Sequence, residues 1–141
     1  MLSKLNVCIP QQSEYSYPIV LGLNSLSLVS ELINALGQFS QIVIISDATV
    51  AELYADELIS LLDDAYQVNL IQFPAGELNK SAENKAKIEE QMFKLQCDRH
   101  TLCIAFGGGV VGDLAGFTAA TYMRGIKVLQ IPTTLLAMLD S

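Results

Sequence analysis

One stretch of the sequence decides the fold, Thr101-Leu-Cys-Ile-Ala-Phe-Gly-Gly-Gly-Val-Val-Gly-Asp113. Its first six residues predict a buried strand, and the apolar run after the glycines predicts a helix packed on a sheet. Gly107, Gly109 and Gly112 match the G-x-G-x-x-G spacing. Such a turn allows backbone N–H groups to approach a pyrophosphate closely at a helix start. The alternative is a tight strand-to-helix turn without a ligand.

Strands and helices alternate on both sides of this turn. Strands that alternate with helices of about 10–15 residues indicate a parallel sheet covered on both faces. Two short β-like runs come first and predict an N-terminal β-hairpin or edge pair. The sequence therefore predicts a Rossmann-like α/β fold. The runs are at 5–10 and 17–22, and the later strands are at 41–46, 67–73 and 127–131. The helices are at 24–37, 50–65, 81–95 and 135–139, and one more helix follows the glycine turn and ends at about 123.

Composition and charge exclude several classes of protein. The 141 residues suffice for one domain with its own core, and 51% hydrophobic residues fit elements buried on both faces. The formal net charge of −7 argues against a nucleic-acid partner and against an anionic membrane surface. No window offers the ~20 continuous apolar residues of a membrane span. An anionic ligand must therefore be held by local dipoles and a few placed cations.

The cysteines and the single histidine do not predict a metal site. The spacing of Cys8, Cys97 and Cys103 matches no zinc pattern and no redox pair. His100 is the only histidine. We expect three reduced thiols in a cytoplasmic protein, and no metal bound by this chain alone.

Polar residues follow the predicted strands where a ligand would bind. In open α/β sheets, ligands lie outside the carboxyl ends of the strands. Four segments fall there, and their convergence predicts one site. They are Asp47, the loop Gly76-Glu77-x-x-Lys80, the glycine turn, and Thr133-Thr134.

Each of these residues has a functional and a structural interpretation. Asp47 fits ribose hydroxyls, or it caps the following helix. Glu77 and Lys80 fit a ribose and a phosphate, or they form an exposed pair worth well under ~1 kcal/mol. Thr133 and Thr134 fit hydrogen bonds to a nucleotide, or one of them caps a helix.

Three further charged residues are candidates. Asp113 is expected in the first turn of a helix, where its charge also suits the helix dipole. Arg124 fits a phosphate or a carboxylate, or it partners a helix C-terminus. The structural interpretation of Asp140 is a solvated acid. A dinucleotide-binding half would carry an acid ~20 residues after its glycines, and none lies between Asp113 and Asp140. Asp47 and the Glu77 loop are thus expected to contact the adenosine end.

Four stretches resemble the 3-dehydroquinate synthase family, in the same order. The resemblance runs through nearly the whole chain, which covers less than half of such an enzyme. It implies that residues 1–141 form an N-terminal NAD-binding domain, with a helical domain for metal and substrate absent from this chain. The stretches are Gly76–Lys80 and the segments at 105–117, 120–126 and 131–141.

The resemblance implies a carbon–oxygen lyase of the shikimate pathway. Members convert 3-deoxy-D-arabino-heptulosonate 7-phosphate, a phosphorylated sugar acid, to 3-dehydroquinate and phosphate. NAD takes a hydride, phosphate is eliminated, the hydride returns, and an aldol closure completes the ring. A divalent metal, zinc or cobalt, polarises the reacting oxygens from the missing domain. The complete protein would be a cytoplasmic homodimer, and this fragment alone would be inactive.

The resemblance also implies residue roles. Asp140 would lie near the nicotinamide and the substrate, and Arg124 in a substrate-phosphate site, across a dimer interface. The residues that would line NAD are Asp47, Gly76, Glu77, Lys80, Gly108, Gly109, Val110, Val111, Gly112, Asp113, Thr133 and Thr134.

Three other functions remain open at this point. One is a sugar-phosphate cyclase with another substrate. Another is a metal-dependent glycerol or alcohol dehydrogenase of the same superfamily, which would release NADH at each turnover. The last is a non-catalytic nucleotide-sensing domain, which predicts useful NAD affinity for the isolated chain.

Overall fold

The computed structural model describes residues 3–8, 16–62 and 64–140. The chain divides into two compact units, Met1–Leu36 and Gly37–Ser141. Within the described ranges, no helix has both the length and the apolar character that crossing a membrane requires. All candidate site residues belong to the second unit.

The first unit contains the predicted pair of strands. Strands β1 (Ser3–Cys8) and β2 (Ser16–Leu21) pair antiparallel; the predicted end of the first run, at 9–10, lies outside the described residues. The predicted helix at 24–37 begins as a 3-10 turn, Ser25–Leu28, and continues as α1, Val29–Leu36. Of the two residues that could cap its start in sequence, Asn24 or Ser25, Asn24 has a left-handed backbone and its side chain makes no capping hydrogen bond.

The second unit contains the predicted alternation of strands and helices. Its four strands form one parallel sheet, in the order β4-β3-β5-β6. The Rossmann-like prediction is confirmed. The elements are β3 (Ile42–Asp47), α2 (Ala48–Ser60), β4 (Val68–Phe73), α3 (Ala82–Lys94), β5 (Leu102–Gly107), α4 (Gly109–Thr121), β6 (Lys127–Pro132) and α5 (Leu135–Asp140).

The helices cover both faces of this sheet. Parallel crossovers are right-handed, and the chain reverses direction across the sheet after β4. Helix α2 therefore lies on one face and α3 and α4 lie on the other, where they contact each other. The carboxyl ends of the strands meet at one edge, and α2 and α4 begin there.

The core lies on both faces of the central strands. Val43 and Ile45 face the side of α3 and α4, whereas Ile42 and Ile44 face the opposite side, because side chains alternate along a strand. All four are fully buried. Phe117 belongs to the apolar run after the glycines, which was predicted to pack on the sheet, but it is 60% exposed and its ring centroid lies 5.2 Å from the Lys85 ammonium.

Two of the cysteines are buried free thiols, Cys97 and Cys103. Burial raises the pKa of both, and that of Cys103 reaches about 12. Both thiols therefore stay protonated and unreactive in the folded chain. The side chain of Cys8 lies outside the described residues.

Candidate functional site

The glycine turn joins β5 to α4 and leaves the first amides of the helix without an acceptor among the described residues. Gly108 is the N-cap, with extended backbone and no capping side chain. The N–H of Gly112 donates to the Gly108 carbonyl at 3.0 Å. The N–H groups of Gly109, Val110 and Val111 precede it and have no acceptor within the helix. Three backbone donors and the positive end of the helix dipole therefore face the carboxyl edge of the sheet, where an anion binds favourably.

Close packing explains why the turn begins with glycine. A Cβ atom on Gly107 would lie 2.5 Å from Val111 Cγ2 and 2.8 Å from Val111 Cβ. A Cβ on Gly108 would meet Thr134 Cγ2 at 3.4 Å, which is ordinary contact. Of these two glycines, only Gly107 is thus required by the approach of helix to strand.

Strand β6 and the loop after it hold the turn in place. The N–H of Thr133 donates to the Gly107 carbonyl at 2.8 Å. The Gln130 side-chain amide donates to the Gly112 carbonyl at 3.2 Å. On the other side, the buried Ser46 hydroxyl of β3 donates to the Phe106 carbonyl at 2.7 Å. The unpaired amides therefore stand on a fixed backbone, as a preformed anion site requires.

Lys80 and Asp113 meet beside the turn. The Lys80 ammonium lies 2.5 Å from an Asp113 carboxylate oxygen and 3.7 Å from Glu77. The hydrogen bond and charge of Asp113 raise the pKa of Lys80. Gly76, with φ of 106°, turns the chain into the short 3-10 helix Glu77–Asn79, and Lys80 follows directly after it. One cation from the loop after β4 is thus brought to the start of α4.

The predicted position of Asp113 is wrong. Helix α4 begins at Gly109, so Asp113 is its fifth residue and lies beyond the first turn. The reason is that Gly108 provides the N-cap of α4. A helix that started at Gly112 would have its N-cap three residues later, at Val111. Asp113 is stabilised there by its ion pair with Lys80.

Asp47 takes up its structural role. It ends β3 and caps α2, because its Oδ1 accepts the N–H groups of Thr49 at 2.9 Å and Val50 at 3.0 Å. Among the described residues, Oδ2 has no hydrogen-bond partner. Capping therefore leaves one carboxylate oxygen at the same edge of the sheet as the glycine turn.

We predict that Asp47→Ala lowers the free energy of unfolding by about 0.5–2 kcal/mol, because two N–H groups lose their acceptor. Asp47→Asn is expected to retain most of that stability, since its amide oxygen still accepts. Urea unfolding of the 141-residue chain measures both. Asp56→Ala, at an exposed position within α2, is the control and should be neutral or stabilising. Equal stability of wild type and Asp47→Ala would contradict the prediction.

Thr134 also takes up its structural role, and Asp140 lies further along the same helix. Thr134 Oγ1 accepts the N–H of Ala137 at 3.1 Å and caps α5. Thr133 holds the glycine turn through its backbone. Asp140 is exposed at the end of α5. Helix α5 also exposes most of its apolar side chains, namely Leu135, Leu136, Met138 and Leu139.

Arg124 does not join the other candidates. It follows the C-terminal end of α4, whereas the glycine turn is at the N-terminal end of that helix. With 13 residues, α4 separates the two by about 20 Å. Arg124 is exposed at the amino edge of the sheet. The structure thus places Arg124 at the amino edge of the sheet and brings the other candidates together at the carboxyl edge. Those candidates are Asp47, Gly76, Glu77, Lys80, the residues at 108–113, Thr133 and Thr134.

The polar contacts that hold the site were missed from the sequence. Ser46 is a buried polar residue within a strand, and such a residue signals a hydrogen bond to a neighbouring element. Gln130 is exposed within β6, so its hydrogen bond had no such signal. The pairing of Lys80 with Asp113 had a weaker signal: their opposite charges both follow strand ends. Strand β3 separates β4 from β5 in the sheet, so strand order alone does not predict this contact.

The fold and the site together define an α/β domain whose helix N-terminus is open to an anion. The family model for the N-terminal part of 3-dehydroquinate synthase matches residues 70–141. That range contains the glycine turn, the Glu77 loop and the Thr133-Thr134 pair. The chain therefore belongs to the 3-dehydroquinate synthase family.

Relatives and solved structures agree with this assignment. The chain is 43% identical over 139 residues to 3-dehydroquinate synthase of Streptococcus mutans serotype c (strain ATCC 700610 / UA159), covering 98% of this chain and 38% of the relative. A 2-deoxy-scyllo-inosose synthase, solved with carbaglucose-6-phosphate, NAD+ and Co2+, matches with a TM-score of 0.86 and 27% identity over 98% of this chain and 36% of the other.

A third comparison extends the likeness to another cyclase. The 2-epi-5-epi-valiolone synthase ValA of Streptomyces hygroscopicus subsp. jinggangensis 5008, solved with NAD+ and Zn2+, matches with a TM-score of 0.72 and 32% identity. The match covers 92% of this chain and 36% of that one. The chain thus spans little more than a third of the length of the proteins it resembles.

Proposed function

We propose that this chain is the NAD-binding domain of a 3-dehydroquinate synthase. The complete enzyme would convert 3-deoxy-D-arabino-heptulosonate 7-phosphate to 3-dehydroquinate and phosphate. The observation that carries the proposal is the start of α4, where three unpaired backbone N–H groups face the carboxyl edge of the sheet. Family membership supports the proposed reaction, and the geometry of the start of α4 supports the proposed cofactor site.

The residues at this edge fit a dinucleotide. The amides at 109–111 would hold the pyrophosphate, since they carry no side-chain cap and sit at the positive end of a helix. The Lys80 ammonium would add a charge-assisted contact, and the free oxygen of Asp47 would accept from a ribose hydroxyl. Bound NAD would supply a hydride acceptor that later returns the hydride. The chain's own residues would bind and orient it.

The rest of the site would come from other parts of the assembly. The described ranges 3–8, 16–62 and 64–140 contain no cluster of three His, Cys, Asp or Glu side chains suited to a metal. We propose that a C-terminal domain binds the zinc or cobalt ion and covers the exposed apolar side chains of α5. Asp140 would then lie beside the reacting carbon. Arg124, about 20 Å from the glycine turn, would reach the substrate phosphate of a second subunit in a cytoplasmic homodimer.

The proposal is tested on the complete reading frame that contains this chain. We expect release of inorganic phosphate from 3-deoxy-D-arabino-heptulosonate 7-phosphate, without a net change in absorbance at about 340 nm, because the hydride is returned. The 141-residue chain alone is the control and should release none. Absence of phosphate release by the complete protein would refute the proposal. NADH accumulation with glycerol would indicate a polyol dehydrogenase instead.

The isolated chain also distinguishes a domain of an enzyme from a nucleotide sensor. We expect weak NAD binding, because one wall of the cleft would be supplied by the other domain. Calorimetric titration measures it. Micromolar or tighter affinity would favour the sensor.

A second candidate is a cyclase that acts on another sugar phosphate. Its support is the TM-score of 0.86 with 2-deoxy-scyllo-inosose synthase. The higher identity, 43% against 27%, favours the heptulosonate substrate. Assays of the complete protein with hexose 6-phosphates and with the heptulosonate distinguish the two.

A further inference from the structure

The backbone at the amino edge of the sheet is unusual around Arg124. Met123 has φ of 50° and Arg124 has φ of 68°, so two successive non-glycine residues are left-handed, followed by Gly125 at 106°. Such backbone costs of order 1–2 kcal/mol per residue and persists only where the surroundings fix it. The turn therefore needs a structural cause.

The cause is a set of hydrogen bonds centred on Tyr122. The Gly125 N–H donates to the Tyr122 carbonyl at 2.8 Å, and the Ile126 N–H donates to the Ala119 carbonyl at 2.8 Å. The Tyr122 hydroxyl donates to the Cys97 carbonyl at 2.9 Å in a buried position. Burial raises the pKa of Tyr122, so the phenol remains protonated and able to donate.

The Tyr122 hydroxyl joins the turn to the loop before β5. Cys97 belongs to the segment between α3 and β5, where Gln96 is left-handed as well, with φ of 56°. The ring of Tyr122 is part of the core that α3, α4 and the sheet share, and the residue is only 8% exposed. The Met123–Arg124 turn is thus anchored to the rigid part of the fold.

This turn presents a cation that has no ion-pair partner among the residues at 3–8, 16–62 and 64–140. Among the described residues, no carboxylate lies within ion-pair distance of Arg124. The neighbouring acid Asp98 is engaged by the Ser40 hydroxyl at 2.7 Å and the His100 N–H at 2.8 Å. Arg124 therefore remains available to an anion from outside this chain.

We infer that Tyr122 is a positioning residue that locks the left-handed Met123–Arg124 turn and so presents Arg124 in advance to the substrate's phosphate group. The inference rests on the proposed function, in which Arg124 contacts that phosphate. An arginine whose backbone is held in place loses less conformational entropy on binding than one on a mobile loop, so the locked turn lowers the KM.

The first test compares variants of the complete protein in steady-state kinetics with the phosphorylated substrate. Tyr122→Phe is expected to raise the KM by about 3- to 10-fold, the value of one hydrogen bond, with little change in kcat. Tyr54→Phe, at a half-exposed tyrosine of α2, is the matched control and should change neither.

The second test separates positioning from stability. Met123→Gly removes the cost of one left-handed residue but frees the turn, so its melting temperature should be unchanged or higher while its KM rises. Tyr122→Phe should lower the melting temperature. Two variants with opposite effects on stability would then share one effect on KM, which a merely structural role does not produce.

Arg124→Ala distinguishes an error in the phosphate contact from an error in the role of Tyr122. If it leaves KM and kcat unchanged, the proposed role of Arg124 is wrong. If it raises KM but Tyr122→Phe and Met123→Gly do not, the lock is wrong and the phosphate contact stands. The lock is also wrong if Tyr122→Phe raises KM by the same factor in the Arg124→Ala background, because the two effects would then be independent.

Discussion

Replacing Gly107 with alanine is expected to lower the free energy of unfolding by about 1–3 kcal/mol, the usual cost of inserting a methyl group into a packed core. The new Cβ would lie 2.5 Å from Val111 Cγ2 and 2.8 Å from Val111 Cβ. A rotamer change moves only the first of these atoms. Relief therefore requires the start of α4 to move away from β5. The same movement displaces the three amides that we propose for the pyrophosphate, so NAD affinity of the complete protein should fall as well.

Gly108→Ala is the matched control. Its Cβ would meet Thr134 Cγ2 at 3.4 Å, and its φ of −78° suits any residue. We expect less than about 0.5 kcal/mol of destabilisation, as at an ordinary surface position. Urea unfolding of the chain gives both values. The steric account is wrong if Gly107→Ala is as stable as Gly108→Ala.

The glycine turn was the most predictable part of this chain. A short apolar run followed by glycines and a second apolar run predicts a buried strand, a tight turn and a buried helix. The structure has β5, the turn and α4 in that order. Local pattern sufficed because the packing of Gly107 on Val111 joins residues only four apart.

The caps and ion pairs were less predictable because the same residue fits more than one structural role in the local sequence. Asp113 fits the first turn of a helix that starts at Gly112, and it fits an ion pair in a helix that starts at Gly109. The choice depends on Lys80, which is far from Asp113 along the chain and approaches it only after folding. Sequence spacing does not encode that approach.

The position of Arg124 follows from the fold and not from a motif. One helix of 13 residues separates it from the glycine turn, although the two are close in sequence. The left-handed turn at Met123 was unpredictable for the same reason. Methionine and arginine do not favour that backbone, so only the contacts of Tyr122 explain it.

Lys80→Ala is expected to weaken NAD binding to the complete protein by about 10- to 150-fold, the loss of one charge-assisted hydrogen bond. Lys80 is the cation that the structure brings to the start of α4. Its effect on stability should be small, within about 1 kcal/mol, because the side chains of Lys80 and Asp113 are 42% and 43% exposed and solvent screens their attraction. Calorimetric titration with NAD and urea unfolding measure the two effects separately.

Lys87→Ala provides the control, since Lys87 forms a comparable ion pair with Glu83 at 2.6 Å on the exposed side of α3. It removes the same charge and the same kind of contact away from the glycine turn.

Asp113→Asn is expected to weaken NAD binding less than Lys80→Ala, because the ammonium remains but loses the carboxylate that holds it. Raising the salt concentration should reduce the difference between Lys80→Ala and wild type, as screening weakens the charged contact in wild type. If Lys80→Ala binds NAD as tightly as Lys87→Ala, the Lys80–Asp113 pair only stabilises the loop after β4, and the cofactor phosphates are held by the helix amides alone.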